Sequence, residues 1–264
     1  MPRVADQSLP LQDWCVLSLR PRGQHAGLRA AAARCGASTL ALSPVSIEAR
    51  DDRATRTALA QAMRADLVLY TSPNAVAMAA SLQALEHERG QPVLAVGSST
   101  RRALRRLGID ARAPRRMDSE GLLEMPELRD VAGRRIALVT GASGRDALAP
   151  ALRQRGAEVF RIEVYARVPV PFSASALEKL QSALADPERV LLALTSLEAL
   201  QHTLRGLPEA LRARFMQTAV IAASERLADA ARDAGFRRIA IASDARPAAL
   251  LRAAHLQFAH AEHL

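Results

Sequence analysis

The sequence predicts an α/β fold of two similar, doubly wound parallel-sheet domains, related by internal duplication and joined by a two-stranded linker. Short apolar runs that favour strands alternate with helical runs, which is typical of parallel sheets covered by helices on both faces. A strand, a polar turn, a helix and a glycine follow one another at 15–36 and again at 136–156. A strand followed by Thr-Ser occurs at 71–72 and again at 195–196, so the repeat of about 120 residues is a domain rather than a solenoid unit.

Composition indicates a globular chain with a marked positive charge. The 264 residues are 49% hydrophobic, and Lys plus Arg (36) exceed Asp plus Glu (27), which gives a net charge of +9. This balance favours nucleic acid, an anionic membrane or a polyanionic small molecule as partner, although an Arg-rich chain also arises from coding bias. Aromatic residues are only 3%, which argues against a single-strand nucleic-acid platform because such platforms depend on stacking rings.

Location and redox state follow from the same totals. No apolar run approaches the roughly 18 residues of a membrane span, and residues 1–10 show no signal-peptide pattern, so we expect a cytoplasmic protein without a membrane partner. Cys15 falls in a predicted strand and Cys35 at a helix end, without His-rich neighbours. We expect reduced thiols rather than a disulfide or a metal site.

The elements of the first half are defined by apolar strands and by the residues that end each helix. Gly36 and Gly108 are C-terminal caps, and Ser72 caps a helix that begins with Pro73, where proline loses no hydrogen bond. The expected elements are strand 14–19, helix 28–34, an extended run at 40–50 broken by Pro44, helix 55–64, strand 66–70, a helix from 73 to about 88, strand 92–97 and a helix ending at 108.

Four arginines mark the helix that ends at Gly108, namely Arg101, Arg102, Arg105 and Arg106. Ala103, Leu104 and Leu107 are expected on its buried side. This arrangement favours a solvated face for the arginines over a ligand role.

The second half repeats the pattern after a polar segment at 118–121. Gly156 and Gly235 again follow helices. His255, His260 and His263 are expected in a frayed tail rather than as ligands. The expected elements are strand 136–139, helix 148–155, strand 159–168, helix 177–184, strand 190–194, a helix from 197, strand 220–222, helix 227–234, strand 238–242 and a final helix.

Polar turns follow the predicted strands at the edge where parallel α/β sheets bind ligands. They share hydroxyl or glycine residues at a helix N-terminus, where free N–H groups and the helix dipole favour an anion. One such turn is ordinary capping, but several in a basic protein predict a ligand with several carboxylates or phosphates. The turns are 20–23, 71–74, 98–100, 140–144, 195–196 and 224–226.

Several enzyme classes are disfavoured. The sequence contains no Gly-x-Ser-x-Gly elbow, no His-x-x-x-His metal spacing and no Gly-Lys-Ser phosphate loop. The run Thr140-Gly141-Ala142-Ser143-Gly144 is similar to the nucleotide-binding opening of short-chain dehydrogenases. However, the later glycine of that fingerprint is missing, and Pro169 stands where their catalytic lysine would follow Tyr165. A nicotinamide enzyme is therefore not expected.

Short motifs in a fixed order resemble a known family, the uroporphyrinogen-III synthases, over about residues 16–251. The motifs are Ser18-Leu19-Arg20-Pro21, Thr71-Ser72-Pro73-Asn74-Ala75-Val76, Ala95-Val96-Gly97 with Thr100, Ser119-Glu120-Gly121-Leu122-Leu123, Glu163-Val164-Tyr165 and Ser224-Glu225-Arg226-Leu227-Ala228. The second half departs most from the family. Ala222-Ala223 stands where Gly-Pro is commoner, and no Pro-Asn follows Thr195-Ser196.

The resemblance implies two α/β domains joined by a two-stranded ladder, with the substrate held in the cleft between them. The expected ranges are 1–39 plus 172–264 for a discontinuous first domain, 52–158 for the second, and 40–51 with 159–171 for the linker. The run 159–168 suits a connecting strand because it is rich in β-branched residues, and Pro169 and Pro171 prevent a helix afterwards.

The resemblance also implies a reaction. In the family, the linear tetrapyrrole hydroxymethylbilane loses its hydroxyl as water and closes to a macrocycle with its last pyrrole ring inverted. This activity is that of a cyclising hydro-lyase of tetrapyrrole (haem) biosynthesis. The pyrrole nitrogen electrons drive the departure, so no cofactor and no metal are expected. The eight carboxylates of the substrate match the helix N-termini and the positive charge.

The family tyrosine of Glu-Val-Tyr makes Tyr165 the expected catalytic residue, which assists departure of the hydroxyl. A rim aromatic on a connecting strand is the alternative interpretation of Tyr165. Carboxylate binding is expected of polar residues at the turns, with plain helix capping as the alternative for each. These residues are Arg20, Thr71, Ser72, Asn74, Ser98, Thr100, Thr195, Ser196 and Ser224.

A second class of function remains open, a non-catalytic two-lobed module that binds an anionic ligand or nucleic acid. It shares the fold and the charge and does not need Tyr165. For the enzyme we expect a small-molecule tetrapyrrole polycarboxylate as substrate, no nucleic acid, a monomer, and transient contact with the preceding enzyme of the pathway.

Overall fold

A computed structural model describes residues 9–116, 118–142 and 147–259, and the chain divides into two units. Unit 1 comprises Met1–Ser46 and Pro169–Leu264, and unit 2 comprises Ile47–Val168. The chain passes from one unit to the other inside the two ranges expected for the linker. The expectations for the first residues, for Ser143 and Gly144, and for His260 and His263 lie outside the described residues.

Strands and helices alternate along almost the whole described chain. In chain order the strands are β1 Cys15–Ser18, β2 Ser38–Ala41, β3 Val45–Ala49, β4 Leu67–Tyr70, β5 Val93–Ala95, β6 Arg135–Gly141, β7 Glu158–Pro169, β8 Val190–Leu194, β9 Ala219–Ala222 and β10 Ile239–Ile241. The helices are α1 Ala26–Arg34, α2 Arg53–Ala62, α3 Pro73–Leu82, α4 Ser98–Arg106, α5 Ser119–Leu123, α6 Leu148–Gln154, α7 Ala174–Ala183, α8 Leu197–Gly206, α9 Glu209–Phe215, α10 Glu225–Asp233 and α11 Pro247–Ala254. Short 3₁₀ turns lie at Pro126–Leu128 and Pro187–Arg189, and a π-helical turn lies at His255–Ala259.

Unit 1 is built on a parallel sheet with the order β10-β9-β8-β1-β2. Numbered within the unit, this is the doubly wound order 2-1-3-4-5. Helices α1 and α11 bury Leu28 and Leu250 on one face of the sheet. On the other face α7, α8 and α10 bury residues that include Leu180, Leu200 and Leu227.

Unit 2 has a related plan with the order β3-β7-β6-β4-β5, in which β4 to β7 follow the order 2-1-3-4 and the first strand, β3, lies at the edge next to β7. The pairs β4/β5, β4/β6 and β6/β7 are parallel. Helices α2, α3 and α4 bury Leu59, Val76 and Leu104 on one face. Helices α5 and α6 bury Leu122 and Leu152 on the other. The predicted fold class, two doubly wound parallel-sheet units, is confirmed.

The extended run at 40–50 is two strands in two different sheets. β2 pairs with β1 in unit 1, whereas β3 neighbours β7 in the sheet of unit 2. Pro44, which cannot donate to a ladder, lies between them. Its carbonyl accepts the N–H of Val170 at 2.9 Å. The strand β7 therefore does more than connect the units, because it also pairs with β6 as a full member of a parallel sheet.

Tertiary contacts overrode two local expectations in unit 2. The helix expected to reach about residue 88 ends at Leu82, and the segment after it is held by side-chain bonds to the turn between α2 and β4. Gln91 Nε2 donates to the carbonyls of Met63 at 3.0 Å and Ala65 at 2.5 Å. Leu107, expected on a buried side, follows the end of α4 and is 49% exposed. The helix α9 was not predicted.

Gly36 has the left-handed backbone expected of a C-terminal cap, with φ +82°. A Cβ added there would lie 2.8 Å from Cβ of Leu9, so the position combines a backbone requirement with a close approach. Gly23 in the same unit has φ +80° but open space around it. The two glycines therefore separate backbone strain from steric contact.

We expect Gly36→Ala to destabilise unit 1 by roughly 1 kcal/mol or more beyond Gly23→Ala, because only the first substitution adds a clash to the left-handed strain. Urea unfolding of both variants measures the difference. Equal losses of stability would show that the segment around Leu9 gives way freely.

Candidate active site

In unit 2 the crevice for a ligand lies where β4 and β6 end. Helix α3 leaves β4 towards one face of the sheet, and α6 follows β6 on the opposite face. Such a reversal between adjacent parallel strands opens a crevice at their carboxyl ends, and ligands of doubly wound sheets bind there. The residues that immediately follow β4 and those that end β6 therefore line the candidate site of this unit.

Two threonines meet across this crevice. Thr71 follows β4 and donates its Oγ1 proton to Oγ1 of Thr140, near the end of β6, at 2.9 Å. The N–H of Thr71 also donates to the carbonyl of Val139 at 3.1 Å. Thr140 is 5% exposed and therefore buried. Its hydroxyl holds the hydroxyl of Thr71, which lies nearer to the edge of the sheet. Sequence reasoning placed Thr140 in a polar turn but did not assign it to the site.

Ser72 begins α3 as the sequence predicts. Its Oγ accepts the N–H of Ala75 at 3.0 Å, its backbone is extended, and Pro73 is the first helical residue. The same Oγ lies 3.3 Å from Oη of Tyr165. Asn74 occupies the next position of the helix after Pro73. The cap is therefore also a hydrogen-bond partner of the expected catalytic residue.

Tyr165 is 7% exposed and packs into the core cluster of unit 2, at the point where the pairing of β7 with β6 ends. Its ring covers Gly141, where an added Cβ would lie 2.7 Å from Cε2 of the ring. Only glycine permits this approach. Sequence reasoning did not assign Gly141 to the site, because its need for glycine arises from a ring that lies 24 positions later in the chain.

The remaining expected residues of unit 2 lie at the start of α4, which follows the next strand, β5. Gly97 is the N-cap, and Ser98 is the first helical residue and is half-buried. Thr100 is 2% exposed and faces the core of the unit. Ser98 therefore lies at the carboxyl edge of the sheet, while the hydroxyl of Thr100 is enclosed.

Unit 1 has a corresponding crevice between β1 and β8, since α1 and α8 also pack on opposite faces. Arg20 follows β1, and its Nη2 donates to the carbonyl of Ala245 at 3.3 Å. Burial lowers the pKa of this guanidinium below its ordinary value. Thr195 and Ser196 follow β8, and Ser196 caps α8 by accepting the N–H of Ala199 at 3.3 Å.

Ser224 follows β9 and occupies the N-cap of α10 with an extended backbone. Within the described residues its hydroxyl makes no capping bond. Its backbone carbonyl nevertheless starts the helix, since Ala228 N–H donates to Ser224 O at 3.1 Å. The side chain of Ser224 therefore lies at the start of α10 but does not cap the helix.

A buried histidine, which the sequence did not indicate, stabilises the crevice of unit 1. His25 Nδ1 lies 2.8 Å from Oγ of Ser18, at the end of β1, and Nε2 lies 2.9 Å from Oγ of Ser43. Burial, with Arg29 and Arg20 nearby, lowers the pKa of His25 below 6.5. A single histidine in a polar loop carries no signal of such a bridge, because both partners are defined only by the fold.

Metal-ligating side chains are not clustered in the described part of the chain. Among residues 9–116, 118–142 and 147–259, no group of three or more His, Cys, Asp or Glu side chains is placed to hold a metal ion. Cys15 and Cys35 are free thiols. In the same described ranges, no helix has both the length and the apolar character needed to cross a bilayer.

Comparison with known proteins decides the family. The family model described as uroporphyrinogen-III synthase HemD matches residues 27–252. This chain belongs to the uroporphyrinogen-III synthase family. The resemblance to this family is thereby confirmed, and the matched range includes the motifs at residues 71–76 and 224–228.

Relatives of this synthase family support the assignment. The chain is 37% identical to uroporphyrinogen-III synthase of Salmonella typhimurium strain LT2 over 71% of this chain and 78% of that protein. It is 34% identical to the Escherichia coli K12 enzyme over 74% of this chain and 80% of that protein. A crystal structure of a mutant uroporphyrinogen III synthase from the extremely thermophilic bacterium Thermus thermophilus shares the fold, with a TM-score of 0.59, 24% identity, and coverage of 94% of this chain and 99% of that one.

The bridge made by His25 predicts a pH dependence of stability. Because its pKa is lower in the folded state than in the unfolded state, acidification through about pH 6.5 protonates the unfolded state first. The stabilisation is complete above that pH and is lost as the pH falls towards the folded pKa. We therefore expect the urea midpoint to fall between about pH 7.5 and about pH 5.5, and to fall less in His25→Gln.

His87 in unit 2 provides a comparison, since burial also lowers its pKa. The double variant His25→Gln/His87→Gln is expected to lose still more of the pH dependence. If the wild type and His25→Gln lose equal stability over this range, His25 is not the group that titrates.

Proposed function

We propose that this chain cyclises hydroxymethylbilane to uroporphyrinogen III, with loss of water and inversion of the last pyrrole ring. The observation that carries the proposal is the pair formed by Tyr165 Oη and Ser72 Oγ, 3.3 Å apart, beside the crevice of unit 2. It joins a phenol to a helix start at the edge where this fold binds ligands. Family membership supports the same reaction.

Carboxylate binding is assigned to the helix starts at the carboxyl edge of each sheet. In unit 2, Thr71 and Ser98 offer hydroxyl groups next to free N–H groups of helices, and Asn74 lies in the first turn of α3. In unit 1, the equivalent residues are Thr195, Ser196 and Ser224, and Arg20 adds a positive charge. Thr100 is the weakest member of the set, because its hydroxyl is enclosed in the core of unit 2.

The chemistry requires a proton donor rather than a redox group. The pyrrole nitrogen electrons expel the hydroxyl of the substrate, and Tyr165 donates a hydrogen bond and then a proton to it, so that it departs as water. Closure at the substituted pyrrole carbon leaves that carbon quaternary, so its bond to the original methylene bridge breaks and the methylene bonds again at the unsubstituted carbon of the same ring. That second carbon then loses its proton, which returns to the phenolate oxygen. One proton is taken up and one is released, and the enzyme ends unchanged.

Ring inversion is a matter of positioning. Closure must occur at the substituted carbon of the last ring rather than at the unsubstituted one that spontaneous closure uses. Carboxylates fixed at several helix starts restrict the flexible bilane to the conformers that bring the substituted carbon close. As in an oriented intramolecular reaction, this positioning contributes several kcal/mol to the difference in barrier between closure at the two carbons.

We extend the proposal to the setting of the enzyme. The enzyme is a cytoplasmic monomer and receives hydroxymethylbilane through transient contact with the preceding enzyme. This transfer leaves less free substrate to close spontaneously. The positive charge of the chain suits a polyanionic cargo.

Tyr165→Phe is expected to lower turnover at least several-fold with folding intact, because it removes the proton donor and leaves the ring in place. The matched control is Tyr70→Phe in the same unit. Tyr70 is fully buried, its Oη lies 3.3 Å from Nε2 of His87, and burial raises its pKa well above the ordinary value. We expect this control to change stability but not turnover.

The assay adds hydroxymethylbilane, oxidises the products and separates the type I and type III isomers. Type III in excess of a protein-free control supports the enzyme. Type I alone, as from spontaneous closure, would favour a binding module for an anionic ligand. Unchanged turnover in Tyr165→Phe would remove Tyr165 from the mechanism while leaving the activity itself standing.

A further inference from the structure

We propose that Arg161 is a positioning residue for Tyr165, acting through the peptide group between Gly141 and Ala142. The inference rests on the role given to Tyr165 in the proposed function. It adds one residue to that role, an arginine on the opposite side of β7 that holds the peptide group against which the Tyr165 ring packs. Arg161 itself does not touch the reacting atoms.

A bulge in the pairing of β6 with β7 aims Tyr165. The strands pair in regular parallel register up to Thr140 with Glu163, and then Gly141 is opposite Tyr165, so that Val164 is skipped in the register with β6. Side chains of a regular strand alternate between the two faces. Val164 and Tyr165 instead both pack in the same core cluster. The extra residue therefore turns the phenol towards the face that carries α3 and Ser72.

The bulge leaves one peptide group to be fixed, the group between Gly141 and Ala142. Its N–H, from Ala142, donates to the carbonyl of Tyr165 at 2.9 Å. Its carbonyl, from Gly141, accepts Nη2 of Arg161 at 3.1 Å. Because both polar groups of this planar unit are bonded, rotation of the peptide would break two hydrogen bonds at once. Its orientation is thus held from both sides.

Arg161 is itself held by charge. Its Nη1 bonds Oε1 of Glu163, two residues along the same strand, and Oε2 of Glu163 accepts Nη1 of Arg50 at 2.6 Å. The side chains of Arg161 and Glu163 are only 21% and 27% exposed, so solvent weakens their pairing less than that of a surface pair. The guanidinium is therefore presented to Gly141 in a defined orientation.

The contacts form one continuous path from Arg50 through Glu163, Arg161 and the Gly141 carbonyl to the ring of Tyr165. A change in the Gly141 peptide moves the surface on which the ring rests, since an atom added there would lie 2.7 Å from Cε2. Misplacement of a reacting group by about 1 Å can cost on the order of 100-fold in rate. Loss of Arg161 should therefore be detected at Tyr165.

The kinetic test is Arg161→Met, with Arg161→Lys as the conservative variant. We expect Arg161→Met to lower kcat roughly tenfold with KM nearly unchanged. Arg161→Lys should recover part of the loss, because an ammonium can reach one of the two acceptors but not both. In the Tyr165→Phe background, Arg161→Met should cause little further loss, since Arg161 acts only through the phenol.

The matched control is Arg153→Met in the same unit. Arg153 Nη2 also donates to a carbonyl of β7, that of Val159, at 3.2 Å, but far from the bulge. Turnover of this variant should equal that of the wild type. A rise in KM for Arg161→Met, with an equal loss in the Tyr165→Phe background, would show that Arg161 binds the substrate directly and would overturn the inference.

A readout independent of activity separates this inference from the proposed function. The chain has two tyrosines, so a sample with ring-labelled tyrosine gives two sets of NMR signals, which Tyr70→Phe assigns. Arg161→Met should shift the Tyr165 signals and leave those of Tyr70 in place, with urea unfolding used to verify the fold. Unchanged Tyr165 signals would end the positioning role, even if Tyr165→Phe proved inactive. Shifted signals would support it, even if Tyr165→Phe retained full turnover.

Discussion

The parallel pairing of β4 with β6 is the constraint on which the site of unit 2 depends. It places Tyr70 opposite Val139 and brings the two following residues, Thr71 and Thr140, within a hydrogen bond of each other. Because the helices after these strands cover opposite faces, nothing in the doubly wound plan fills the edge above them. The start of α3, with Ser72 as its cap, then lies within hydrogen-bonding distance of the phenol that β7 supplies.

The donors gathered at the two crevices are mostly neutral. Hydroxyl groups and free N–H groups at helix starts bind a carboxylate without a full opposing charge, whereas Arg50 and Arg161 of unit 2 are engaged by Glu163. Each such contact is modest on its own, so affinity for a polyacid comes from many contacts made together. A surface of this kind suits a flexible substrate that must be held in one shape and then released as a closed product.

Local signals were sufficient for much of this arrangement. The cap at Ser72 and Pro73 depends on residues adjacent in the chain, and the strand at 190–194 is a continuous apolar run, so both could be inferred directly. The carboxyl-edge position of the polar turns follows from strand–helix alternation alone. Tyr165 came from family resemblance, because an aromatic residue within a strand has no chemical signature of its own.

Other features depend on contacts that no local pattern contains. Strand periodicity cannot show a bulge, so the pairing of Gly141 with Tyr165 and the reach of Arg161 were not visible. His25 acquires its partners only when β1 and the segment before β3 come together. The early end of α3 also depends on distant contacts, since the side chain of Gln91 donates to two backbone carbonyls in the earlier turn between α2 and β4.

The position of unit 2 within the chain has a consequence for biosynthesis. Its strands β3 to β7 emerge from the ribosome one after another, so a nascent chain can complete that sheet by about the time residue 169 is made. β1, by contrast, is a central strand whose partner β8 begins at Val190, and β1 pairs with it from Cys15 onwards. β1 is therefore synthesised before the strands of unit 2 but fully paired only after them, and until then it exposes an unpaired edge to the cell.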